Sequence, residues 1–150
     1  MTAQHTIEAK HAEISKMIEA LKAATPSTYG IPEAMIDLMP GEHYAGIVLD
    51  TDGEPAHHLI LLPGEAEKVT WEQAKAWATT QGGELPTHQE QALLLANLKG
   101  RFKPNWHWSS EAHETTAGWA WYQYFGNGSQ GYTRKYHELR ARAVRRLVIE

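Results

Sequence analysis

Between residues 6 and 24 the apolar side chains Ile7, Ile14 and Leu21 recur every seven positions, with Met17 and Ile18 beside them, among strong helix formers. The spacing predicts an amphipathic helix over 6–24 that Thr6 can cap and Pro26 stops. Lys10 falls where a second core position of the heptad would lie, so the apolar stripe is narrow. A stripe of this kind suits either packing on a domain or a short seam between subunits. Residues 26–43, punctuated by Pro26, Gly30, Pro32, Pro40 and Gly41, read as a connector with one short helical turn at 32–38.

The period then changes. Tyr44 to Leu49 and Ala56 to Leu62 are apolar runs rich in strand formers, and Asp50-Thr-Asp-Gly-Glu54 between them reads as the turn of a hairpin. Thr70 followed by Gln73 is a capping box, opening a helix with Trp71, Ala74 and Ala78 on one face and Gly82-Gly83 at its end. In Leu85-Pro86-Thr87 the proline forces an extended backbone before it, and Thr87 with Glu90 caps a second helix over about 88–98. Gln91, Leu94, Leu95 and Leu98 form its inward stripe, and Gly100 closes it. From Trp106 onward come short strands rich in Trp and Tyr, with Arg142 to Ile149 as the last. Trp108, Trp121 and Val144 alternate with small or polar neighbours and are expected in the core. The chain divides into an N-terminal helix at 1–25, the connector at 26–43 and one domain at 44–150.

Composition narrows the classes. The chain has 150 residues, 42% hydrophobic and 21% charged, which is ordinary globular usage. A domain of that length buries roughly 68–70% of the surface its unfolded chain exposes. There is no cysteine, so disulfides, thiolate metal sites and cysteine nucleophiles are excluded together. No apolar run reaches the ~18 residues a membrane span needs, and residues 1–16 do not read as a signal peptide. The expectation is a protein with no membrane partner, kept in the cytoplasm of a bacterial host or packaged in a virion assembled there. Residues 1–98 carry 5 Lys/Arg against 14 Asp/Glu, a net of −9, whereas residues 99–150 carry 9 against 4, a net of +5. That asymmetry fits either complementarity between two parts of one domain or an acidic partner for the basic part.

In order, the chain presents Gly82-Gly83-Glu84-Leu85-Pro86-Thr87, then Trp108-Ser109-Ser110-Glu111, Ala120-Trp121-Tyr122, Gly126-Asn127-Gly128-Ser129-Gln130 and Arg142-Ala143-Val144-Arg145. This succession resembles the Lcl C-terminal domain family, a C-type-lectin-fold group found in bacteria and their phages, over roughly residues 44–149. The resemblance implies an α+β, C-type-lectin-like fold: two helices packed on short twisted antiparallel sheets, here preceded by the N-terminal helix. It also implies a phage or prophage origin and a binding role. The helix, Leu-Pro-Thr, helix segment is similar to that of formylglycine-generating enzymes, but their chemistry needs cysteines that this chain lacks. The calcium-binding Glu-Pro-Asn and Trp-Asn-Asp elements of animal lectins are absent too.

Candidate chemistry is sparse. Asp50-Thr-Asp52-Gly-Glu54 starts like a calcium loop, but the twelfth position is Leu61 rather than glutamate, so it reads as a turn. Among the nine histidines, the adjacent His57 and His58 point to opposite faces of a strand, and no metal site or cofactor is expected. No nucleophile elbow and no phosphate loop opening a helix is present. What remains is a binding surface built from Trp106, His107, Glu111, His113, Gln123, Tyr124, Asn127, Gln130, Tyr132, Arg134 and Tyr136. Tyr, Trp and Arg bury much area at low entropic cost while keeping a polar handle, which suits them to recognition. Tyr132, Arg134 and Tyr136 are spaced by two and are expected on one face. The leading expectation is therefore a non-enzymatic protein contacting a protein or glycan ligand through residues 106–136, with the N-terminal helix docking on the domain or pairing subunits into a homo-oligomer. The alternative is a host-directed regulatory or nucleic-acid-associated protein using Arg134, Lys135, Arg140, Arg142, Arg145 and Arg146.

Overall fold

The computed structural model describes the backbone from residue 3 onward and side chains from residue 6. The described residues are mixed α+β, with three α-helices and eight strands in two sheets. None of those helices is long and apolar enough to cross a membrane. The chain divides into two compact units, residues 1–31 and 32–150.

The first unit is α1, Ala3–Ala24. The helix begins before Thr6, which therefore lies inside it rather than capping it, because Ala3 and Gln4 continue the run of helix formers. At its other end the Thr25 hydroxyl and N–H both donate to Leu21 O, and Pro26, lacking a donor, ends the ladder. Ile7, Ile14, Met17, Ile18 and Leu21 are all exposed.

The second unit opens on an irregular segment. The helical turn expected at 32–38 is not formed: Asp37 O accepts from Arg145 Nη2 and Met39 N donates to Glu42 Oε1, so side chains take the backbone groups that a turn would use. The expected hairpin is β1, His43–Leu49, paired antiparallel with β2, Pro55–Leu61. Asp50 Oδ1 accepts from the Asp52 and Glu54 N–H groups, spending its carboxylate on the turn, and Gly53 supplies a φ of +81°. Next come β3, Ala66–Val69, and α2, Trp71–Thr80, then α3, His88–Leu98, with a 3₁₀ turn at Lys99–Arg101. Both predicted capping boxes are present: Thr70 with Gln73 and Thr87 with Glu90 exchange side-chain and backbone bonds at 2.9–3.3 Å.

The remaining strands are β4, Trp106–Ala112; β5, Trp119–Tyr124; β6, Gln130–Arg134; β7, Leu139–Ala141; and β8, Val144–Val148. The final strand expected over 142–149 is β8, starting two residues later, while β7 just before it belongs to the other sheet. One sheet has the order β1-β2-β8 and the other β3-β7-β4-β5-β6. Most pairings are antiparallel, but β4 and β7 meet in parallel at His107 and Arg140. Gly83 stands where Glu84 bridges Val144, and a Cβ there would lie 2.2 Å from Val144 O, so no other residue fits.

Two apolar clusters fill the unit. Trp71, Ala74 and Ala78 of α2 pack with Leu85, Trp108, Ala120, Leu139 and Ala141. Leu94 of α3 packs with Leu59, Leu61, Phe102, Phe125 and Val144. The large rings satisfy their donors there, Trp71 Nε1 on Ser109 O and Trp108 Nε1 on Val69 O, each at 2.9 Å. Trp108 and Val144 are core residues as expected, but Trp121 is only partly buried and belongs elsewhere.

Candidate functional site

The register of β5 against β6 decides which side chains share a face. Trp119 lies opposite Arg134, Trp121 opposite Tyr132 and Gln123 opposite Gln130, and directly opposed residues project to the same side. At one end this face is closed by α3. Gln123 Nε2 donates to Gln91 O at 2.7 Å, and Gln130 Nε2 donates to Gln123 Oε1 at 2.9 Å and to His88 O. Gln123 is 0% exposed and His107 1%, so these two expected surface residues are interior ones.

Beyond α3 the same face opens to solvent as a ladder of rings. Tyr132 meets Trp121 at 5.4 Å, Trp119 at 5.7 Å and His113 at 4.2 Å, edge-on in each case. Arg134 carries its guanidinium 5.1 Å from the Trp119 ring and 6.0 Å from that of Tyr136, distances that suit cation–π attraction. Tyr132 is 46% exposed and Tyr136 64%. Tyr136 lies past the end of β6, so Arg134 rather than strand alternation brings it to this face.

The flank of the ladder is fixed by polar contacts. His113 Nδ1 accepts from the N–H groups of Thr115 and Thr116, which places its proton on Nε2, 3.9 Å from Glu114. Glu114 also accepts from Trp121 Nε1 at 3.2 Å. Its own backbone N–H does most to hold this carboxyl below the usual range. The Glu111 carboxylate pairs with His88 Nδ1 and accepts from His88 N, and the His88 ring lies 5.1 Å from Trp121. Glu111, His113, Gln130, Tyr132, Arg134 and Tyr136 therefore gather on or beside one surface, as the sequence suggested. Trp119, Trp121, His88 and Glu114 join them without having been anticipated. The two-residue spacing of Trp119 and Trp121 opposite Arg134 and Tyr132 was the available signal.

Trp106 and Tyr124 are on the opposite side of the sheet, because they are opposed to each other and out of phase with Trp119, Trp121 and Gln123. Trp106, 45% exposed, stacks on Tyr122 at 4.6 Å beside a groove of about 540 Å³ whose walls include Glu67, Asn105, His137 and Arg140. Asn127 accepts from Ser129 N and shapes the β5–β6 turn. The single face expected from residues 106–136 is thus two.

The arginines that follow are not a free patch. Arg140 pairs with Glu65 and Glu67, Arg145 with Glu42, and Arg146 with Glu84 and Glu90. Glu90 is 1% exposed and also bonds His57 Nε2 at 2.7 Å. Burial works to raise its carboxyl, but the bonds from Arg146, Thr87 and His57 outweigh that and hold it below the usual range. Part of the charge asymmetry along the chain is therefore cancelled within the fold, by carboxylates of the acidic part holding Arg140, Arg145 and Arg146. His57 turns to Glu90 and His58 to the Tyr44 hydroxyl, so the adjacent histidines do diverge, and no group of three potential metal ligands converges among the described residues. No family model matches the chain, and no curated protein matches it.

Proposed function

We propose that this is a non-enzymatic recognition protein whose ring ladder, Trp119, Trp121, Tyr132, Arg134 and Tyr136, contacts a protein or glycan partner. The observation that carries the reading is a guanidinium laid between the half-buried Trp119 ring and the exposed Tyr136 ring and bonded to no carboxylate among the described residues. Such a surface loses little side-chain entropy on binding, because its rings already brace one another. The polar side chains nearest it are committed to structure: Gln123 and Gln130 tie the sheet to α3, and His113 ties down the 115–116 backbone.

The order of the sequence motifs supports a C-type-lectin-like domain of phage or prophage origin, acting in the bacterial cytoplasm or on a virion. The Trp106 groove favours a glycan as the second reading, since a stacked tryptophan ringed by hydrogen-bonding groups suits a sugar face. The exposed apolar side of α1 supports pairing of subunits into a homo-oligomer. Nucleic-acid binding is the weaker alternative, because three of the C-terminal arginines already hold carboxylates.

The test is affinity capture from host lysate with the intact chain as bait, read beside a glycan array. The partner should be lost with Tyr132→Ala/Arg134→Ala and retained with Trp106→Ala. Undiminished capture by the double variant refutes the ladder as the site, and selective loss with Trp106→Ala moves it to the groove.

A further inference from the structure

Arg142 differs from its neighbours in what it holds. Arg140, Arg145 and Arg146 each meet carboxylates, whereas Arg142 Nη1 donates to Arg101 O and its Nη2 to Leu62 O at 2.8 Å. Carbonyls orient a guanidinium without cancelling its charge. Of the five N–H donors such a group carries, the one on Nε is buried with no partner. Burial works against this cation, Glu65 supports it and Arg101 opposes it, and the balance holds its pKa below the usual arginine range. The Phe102 ring, 5.4 Å away, braces the group on one side.

A cavity of about 430 Å³ opens here, lined by Gly64, Glu65, Gly100, Arg101, Lys103 and Arg142. Arg101 and Lys103 are exposed, and neither side chain enters an ion pair among the described residues. Glu65 is the one carboxylate in this lining, and it lies 3.3 Å from Arg140 Nη1, already shared with another cation. Three cations thus face one committed anion. Gly100 adds backbone with open space where a side chain would stand.

We propose that this pocket, built by the β2–β3 turn, the 3₁₀ turn after α3 and the β7–β8 link, binds a small oxyanion of the phosphate type, free or as a monoester. A dianion with several acceptor oxygens answers three cations that line one pocket, and the Arg142 guanidinium, held in place by two carbonyls, keeps its charge and part of its donor set uncommitted. A lone carboxylate would answer only one of the three. The site shares no residue with the ring ladder, so either can fail without the other.

The experiment is a titration of the full chain with inorganic phosphate at low ionic strength, followed by two-dimensional NMR of backbone amides and arginine Nε–H groups. Saturable shifts at Gly64, Gly100 and Arg142 are expected. Arg142 itself bridges two segments and its loss could unfold the chain, so the variant is Arg101→Gln/Lys103→Gln, whose side chains hold nothing. This pair should weaken phosphate at least tenfold with unchanged thermal unfolding, while Lys22→Gln on α1 has no effect. Acetate should bind at least tenfold more weakly than phosphate. Glycerol phosphate binding more tightly than phosphate assigns a monoester, and equal or weaker binding assigns the free ion; both uphold the site. Shifts that do not saturate, acetate matching phosphate, or wild-type affinity in the double variant overturns it.

Discussion

Arg146 and Arg134 are the same residue twelve positions apart in one domain, and they are used in opposite ways. Arg146 reaches into the fold, where Glu90 takes two of its donors at 2.7 Å and Glu84 a third contact at 3.0 Å. Arg134 lies outside on the Trp119 and Tyr136 rings, with its charge uncancelled by any carboxylate. The aromatic residues divide likewise: Trp71 and Trp108 are buried with bonded indoles, whereas Tyr132 and Tyr136 stand in solvent. Counts of Arg, Trp and Tyr therefore do not locate a binding surface. Partner inventories do, because a satisfied group has little left to offer a ligand.

The sharpest way to break this contrast is Glu90→Ala, which leaves Arg146 half-buried without its main counter-charge and His57 without its acceptor. Stability should fall by about 3–5 kcal/mol in urea unfolding. A loss under ~1 kcal/mol would show that the inner ion cluster is as dispensable as a surface pair. The same carboxyl, held below its ordinary pKa, should stabilise the fold above the unfolded-state value near 4.5 and lose that contribution as pH falls through its lower folded value.

His107 sharpens the interior side with a second pH signature. Its Nδ1 faces Asn105 O at 2.9 Å, and its Nε2 is buried with no partner against Phe102 and Phe125. Burial, with Arg140 and Arg142 nearby, pushes its pKa down to about 4. Below pH 6.5 the unfolded chain takes up a proton that the folded chain refuses, so stability should fall by about 3 kcal/mol between pH 6.5 and 4. Thermal unfolding of His107→Leu across that range should lose this slope; an unchanged slope sinks the assignment.

On the outer side, Tyr132→Ala and Arg134→Ala should each cost about 2 kcal/mol of partner binding. Each should also shift stability by no more than ~0.5 kcal/mol, as befits exposed groups. Surface plasmon resonance beside urea unfolding checks both halves, and a large loss of stability would move the ladder into the structural class. Smallest of all, Thr70→Ala should remove about 1 kcal/mol through loss of the α2 cap and leave partner binding untouched.

What was legible in the sequence was local. Thr70 with Gln73, Thr87 with Glu90 and the Asp50–Glu54 turn act within five residues, so their signals sit together in the chain. Strand β3 escaped because Glu67 and Lys68 are exposed and give no alternation, and Lys68 takes a positive φ of 50° at an irregularity in the β3–β7 pairing. The arginine partners escaped for a different reason: Glu42 and Arg145 are 103 positions apart, and Glu90 and Arg146 are 56. No local period encodes such pairs. The outward turn of Trp121 depended on register with β6, which alternation along β5 alone cannot supply.

The place of β2 between β1 and β8 sets an order of events. The β1–β2 hairpin closes through the five residues between Leu49 and Pro55, but the second edge of β2 waits for a strand about ninety positions further on. Long-range pairings of this kind form slowly. Until β8 arrives, Leu59, Ile60 and Leu61, wholly buried at the end, line an open sheet edge that another chain could copy. An unpaired edge of this kind is a template for pairing with another chain. When β8 pairs there, Arg145 and Arg146 come opposite Ile60 and Leu59 and meet Glu42 and Glu90, so two charge pairs close together with the sheet edge.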